Sequence, residues 1–242
     1  MAAALLSAAA VGCGDAGGLR AAGPAPTAIS PAKLWPGLRP ESTPAFRYDV
    51  AAREPVRGVT VPGDDIHKVD PVAVVQAEIA AHPDSYGPKG PYHGTATRLA
   101  DCAAGRDRSR CPVLRPYFRD LTGDGRDEMA LGFGLYPTNQ TAIRVYTVEN
   151  HQLFQVLADN DAVIGVELAG RTVIVRSPTG ISGYEYRTTY TWNPQQHAMV
   201  FARDEFVRTG GDRPTRTASP PPRPPSPSAR SGSPSSSPSG GG

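Results

Sequence analysis

From Val113 to Phe206 the sequence runs through eight short segments: "VLRPYFRDL", "EMALGFGLY", "AIRVYTVE", "QLFQVLAD", "VIGVELA", "TVIVRSP", "YEYRTTYTW" and "AMVFARDEF". Each is rich in β-branched or aromatic residues and bounded by turn formers, the composition of a strand. Three connections are short enough to be hairpins: Glu149-Asn150-His151, Ala169-Gly170-Arg171 and Asn193-Pro194-Gln195-Gln196. Alternation in "RTTYTW" and "AIRVYTV" predicts sheets with one wet face. The fold class that follows is mainly β with one or two N-terminal helices (α+β). It is an antiparallel meander, a bent sheet or sandwich of about seven or eight strands, with the helices at one edge. No period is strong enough for a propeller.

Upstream, "VDPVAVVQAEIAAHP" predicts a helix. Asp70 suits its N-cap, Pro71 its first position, and Val72, Val75 and Ile79 fall on one face before Pro83 ends it. A second short helix is expected over Thr95–Ala103. Proline and glycine, 26 of each, crowd residues 14–65 and the stretch after Gly210. Recurrent proline breaks both helix and strand periods, so 14–65 reads as a tether, with Trp35 and Phe46 available for local docking. Residues 66–208 then form the β-rich domain, and 209–242 a Pro/Ser/Arg-rich tail with nothing apolar to bury. A formal charge of +2 gives no case for a nucleic-acid partner.

"MAAALLSAAAVGCG" is an apolar run too short to span a bilayer, and it matches the h-region of an export signal. Small residues before Cys13 resemble a bacterial lipobox, although Ala10 stands where Leu is usual and no basic residue precedes the run. Residues 1–13 are therefore expected to be a lipoprotein signal peptide. Lipid on Cys13 would hold the chain at the outer face of the cytoplasmic membrane. Cys102 and Cys111, nine apart across a polar loop, are expected to form a disulfide in that oxidising space.

The most chemically suggestive stretch is "DLTGDGRDE", Asp120 to Glu128. Asp120, Thr122, Asp124, the carbonyl of Arg126 and Glu128 alternate as calcium ligands would, and Gly125 permits the sharp turn. The loop resembles the D-x-D-x-D-G-x-x-D/E loops of integrin-type repeats and dockerin-like modules, with Thr122 as a neutral departure. Asp beside Gly is equally the commonest tight turn. Calcium is thus one reading of the loop and a strand connector the other.

With "RVYT" at Arg144–Thr147, the Ala169–Val175 hairpin and "YTW" at Tyr190–Trp192, the loop makes the chain resemble a family of actinobacterial surface lipoproteins. That family includes the accessory lipoprotein of a cell-envelope-stress sigma-factor operon. The resemblance covers roughly Val113 to Phe206. It implies an anchored, extracytoplasmic domain and a possible negative modulator of envelope-stress signalling.

Motifs for catalysis are sparse in the chain. "GISGY" around Ser182 lacks the second glycine of a nucleophile elbow. His67, His82, His93, His151 and His197 are scattered, and "GPKGPYHGT" lacks the spacing of a phosphate cradle. Glu149, Glu167 and Glu185 are the acids in or beside strands from which a glycosidase pair could be drawn. The expectation is a non-catalytic lipoprotein that binds or senses an envelope component or a signalling partner. The alternatives are a secreted calcium-dependent binding module and a cell-envelope hydrolase.

Overall fold

Ten strands form two antiparallel sheets in the computed structural model, which describes residues 30–40, 53–103 and 108–209. In chain order they are β1 (Ala32–Leu34), β2 (Glu54–Pro55), β3 (Tyr117–Arg119), β4 (Glu128–Leu135), β5 (Gln140–Glu149), β6 (Gln152–Asp161), β7 (Gly165–Ala169), β8 (Thr172–Pro178), β9 (Tyr184–Asn193) and β10 (Ala198–Arg208). Three helices, α1 (Pro71–Ala81), α2 (Pro83–Tyr86) and α3 (His93–Arg98), lie between β2 and β3. The central sheet has the order β2-β6-β5-β4-β3 and the outer sheet β1-β7-β8-β9-β10. Cys13, Phe46 and the tail beyond Thr209 lie outside the described residues. Among those described, no helix is long and apolar enough to cross a membrane.

All eight segments contain strands, and all three expected hairpins join neighbouring strands. The first segment is trimmed to three residues, because Pro116 has no N–H to give a ladder. The layering differs from expectation. The helices cover a face of the central sheet instead of sitting at an edge. One core holds Val74, Val75, Tyr86 and Leu99 against Met129, Leu131, Phe133 and Leu135. A second core packs Ala130, Ile143, Val145 and Leu157 against Val166, Val173, Val175 and Tyr190 of the outer sheet. "AIRVYTV" therefore has no wet face, since β5 is buried from Thr141 to Val148.

The tether expected over 14–65 is corrected at two places. Residues 32–34 pair with β7 and residues 54–55 with β6, adding one edge strand to each sheet. These bring the strands to ten. Prolines are tolerated there because an edge strand needs hydrogen bonds on one side only. Trp35 is buried, and its indole N–H donates to the Arg115 carbonyl at 2.7 Å. Its ring fills the space over Gly132, where a Cβ would lie 2.7 Å from the ring.

Helix α1 starts as its sequence dictates, with the Asp70 carboxylate accepting from Val72 N at 2.9 Å and Pro71 in the first turn. It ends at Ala81, and Pro83 opens α2. The helix expected over Thr95–Ala103 is α3, which runs from His93 to Arg98 and continues as a 3-10 turn to Cys102. Cys102 and Cys111 are disulfide-bonded, fixing this turn to the segment entering the central sheet.

The buried stripe of α1 is Val74, Val75 and Glu78, with Val72 and Ile79 only partly covered. Glu78 turns the helix because Arg144 of β5 lies beneath it. Arg144 Nη2 donates to Glu78 Oε1 at 2.7 Å and Nε to both carboxylate oxygens, and the side chains of both residues are more than nine-tenths buried. Tyr86 and Tyr146 hydroxyls donate to the same carboxylate. Removing one partner of such a pair leaves an uncompensated buried charge. Arg144→Met is expected to lower the unfolding free energy by about 3–5 kcal/mol in urea melts. Glu78→Met with Arg144→Met should recover a substantial part of that loss. A double variant as damaged as the single would show that the pair is not what fastens α1.

Candidate functional site

The loop between β3 and β4 closes on itself through its carboxylates. Asp120 accepts from Gly123 N at 2.5 Å and from Gly125 N at 3.1 Å. Asp124 accepts from the backbone N and the Nε of Arg126, which hold its carboxyl below the usual range against a desolvation that acts upward. Both glycines sit at φ +86°, a conformation open to glycine at little cost. Gly123 has a second constraint, because Arg171 from the β7–β8 turn lies over it and donates to the Thr122 carbonyl at 3.3 Å.

Glu128 points the other way. It is 1 % exposed and accepts from Leu121 N at 2.7 Å, Thr122 N at 3.0 Å and the Thr147 hydroxyl at 3.0 Å, with the Thr122 hydroxyl at 3.5 Å. Burial raises this carboxyl, and the bonds from Leu121, Thr122 and Thr147 oppose the rise. Asp127, not counted among the ligands, lies 3.1 Å from His67 Nε2, and that imidazole stacks on Phe118. The sequence-expected ligands thus divide into a solvent-side pair, Asp120 and Asp124, and an inward Glu128. Among the described residues no three His, Cys, Asp or Glu side chains gather as a metal-holding group.

The other candidate acids are also engaged. Glu167 and Glu185 are brought together by Arg176, whose Nη1 donates to Glu167 at 3.2 Å and Nη2 to Glu185 at 2.6 Å. Arg187 donates to Glu185 as well, so a carboxylate with no exposed surface faces two guanidinium groups. Glu149 lies on the other sheet and accepts from Arg53 at 2.6 Å. His93 Nδ1 donates to the Gly90 carbonyl at 3.0 Å.

A cleft of about 540 Å³ opens where α1 passes over the strap that carries β2. Ala77, Ala81, Pro55 and Val56 give it apolar walls, and Tyr146 lies at its floor. His82 Nε2 and Glu54 Oε2 stand 3.6 Å apart at its rim. Apolar walls with a few polar groups are the usual make-up of a small-molecule site. Glu78, which lines it, was not singled out from the sequence, nor was its pairing with Arg144. The available signal was a lone Glu78 in an apolar helix and a lone Arg144 inside an apolar strand.

Comparison with family models, with curated proteins and with solved structures returned no match.

Glu128 gives the loop a direct test. Glu128→Ala strands the Leu121 and Thr122 N–H groups and is expected to cost about 2–4 kcal/mol. Glu128→Gln keeps an acceptor for both and can donate to Thr147, so it should fold nearly as well as wild type. The fold raises this carboxyl, so its ionised form is the disfavoured one. Wild-type stability should fall relative to Glu128→Gln as pH climbs from the ordinary carboxylate value through the raised one. Urea titrations between pH 4 and 7 check this, and a glutamine variant as weak as the alanine one would refute the capping role.

Proposed function

We propose that the chain is a non-catalytic, extracytoplasmic lipoprotein. Held by lipid on Cys13 at the outer face of the cytoplasmic membrane, it binds or senses an envelope component or signalling partner and damps envelope-stress signalling. The observation that carries the binding reading is the cleft beside α1, whose walls are apolar and whose rim is polar. Acids otherwise available for chemistry have partners inside the fold, as Glu78, Glu128 and Glu185 illustrate. The Cys102–Cys111 disulfide supports an oxidising compartment.

In cell fractionation, wild type should sediment with membranes and Cys13→Ala should not. In a strain lacking the gene, an envelope-stress reporter should rise and be restored by wild type alone. A Cys13→Ala protein that stays on the membrane removes the anchor, and an unchanged reporter removes the regulatory role.

The Asp120–Glu128 loop serves this module as a self-closed connector, a reading supported by the loop N–H groups on Asp120 and Asp124. Millimolar calcium is accordingly expected to leave the Tm unchanged. A rise that Asp124→Ala abolishes would turn the loop into a calcium site and the chain into a calcium-dependent binding module.

A further inference from the structure

Two sheets have four edges, and three of them are blunt. β1 and β3 are three residues long and β2 is two. Among the described residues the fourth edge is β10, eleven residues long, with a register shift between Phe201 and Arg203 that leaves Arg203 to Arg208 as its regular part. From Phe201 to Phe206 every residue of β10 is exposed, so this half of the strand projects beyond the sandwich. Phe201 and Phe206 are 51 % and 60 % exposed, and Phe206 packs against Tyr186 with ring centroids 5.1 Å apart. Long open edges present unpaired main-chain groups and are ordinarily shortened, bulged or covered.

The direction of those groups follows from the ladder. Thr209 N donates to Gly183 O at 2.8 Å, and the pairs continue through Arg208 with Tyr184, Val207 with Glu185 and Phe206 with Tyr186. Antiparallel bonding alternates, so Val207 and Glu205 turn their main-chain groups toward β9. Asp204, Phe206 and Arg208 turn theirs away from the sheet.

We infer that this edge pairs with the same edge of a second copy, antiparallel about a two-fold axis at Phe206. Outward groups must face outward groups, so only every second register is possible. Among these, one sets Asp204 against Asp204 while pairing Arg203 with Glu205 twice, another sets Glu205 against Glu205, and a third Arg203 against Arg203. The register centred on Phe206 places Asp204 opposite Arg208 twice and opposes no like charges. The next register, centred on Val207, opposes no charges at all. Charge along the edge therefore selects the Phe206 register, and opposite charges directly across a strand pair are stabilising. In it the two Phe206 rings lie side by side on the face that also carries Tyr186, covering apolar surface that a single copy leaves in water. The two outer sheets become one sheet of ten strands.

The test is sedimentation velocity on the full chain carrying Cys13→Ala, which removes the acyl chain without touching the edge. The expected mass is twice 25.5 kDa. Asp204→Arg and Arg208→Asp each set like charges opposite and should each give monomer, and the two together should restore the dimer. Recovery in the double variant also excludes misfolding as the cause of loss. A monomeric wild type overturns the pairing and leaves the edge to another occupant, such as a segment of this chain or a different protein. Single variants that remain dimeric overturn it as well.

Discussion

One buried carboxylate, that of Glu78, joins every helical element next to it to the central sheet. Taking a guanidinium and a carboxylate out of water costs several kcal/mol for each ion, and the pair survives only if nearly every polar atom finds a partner. Arg144 meets that demand: Nε and Nη2 go to Glu78, while Nη1 donates to the carbonyls of Ile143 at 3.0 Å and Asp159 at 2.8 Å. Burial alone would push Arg144 down, yet the charge of Glu78 holds it above its ordinary value. Tyr86 and Tyr146 are raised by burial and then by the same carboxylate, so both remain neutral donors to it. Because Tyr86 belongs to α2, a single anion fixes α1, α2 and β5 together. The cleft beside α1 inherits its floor from this arrangement.

The same device recurs between layers. The Tyr190 hydroxyl of the outer sheet donates to Asp159 of the central sheet at 3.0 Å. Ser177 of β8 donates to Asp161 at the end of β6, and Ala162 N donates to that carboxylate at 2.7 Å. Burial pushes Asp161 up to about 6 against those two bonds. Glu128 ties its own loop to Thr147 of β5. Interior acids here act as fasteners between segments distant in sequence. Each demands a hydrogen-bond donor at a fixed place, which specifies how the layers register in a way that apolar contacts alone do not.

That role explains which features were legible before the structure. Strand identity was, because "TVIVRSP" and "EMALGFGLY" differ in composition from the turns around them. The distinction between the sheets was also available: β8 alternates buried and half-buried residues, whereas β4 is buried almost throughout. A strand covered on both faces reads as a continuous apolar run, and "EMALGFGLY" is one. What the pattern could not convey was Arg144, whose charge suggests a wet face until its partner 66 residues away is known. Glu128 misleads in the same way. Loop spacing suggests a ligand set, and only the backbone path of Leu121 and Thr122 reveals that its oxygens are already engaged. The edge strands β1 and β2 were hidden by the prolines in or beside them, since an edge position forgives residues that an interior strand excludes.

Recovering those edge strands changes the geometry of the proposed anchor. A tether running to residue 65 would let the domain reach about 180 Å from Cys13 when fully extended. With Ala32 already in the outer sheet, the distance from Cys13 to that strand is at most about 65 Å. Two copies held that close to one membrane share a thin layer, so their effective concentration far exceeds that of the same chains in solution. A strand contact that already forms in solution would then be populated further. The proposed anchor and the proposed pairing of β10 would act in the same direction. A lipid on Cys13 would confine the domain near the surface, and that confinement would favour the proposed pairing of a short self-complementary edge.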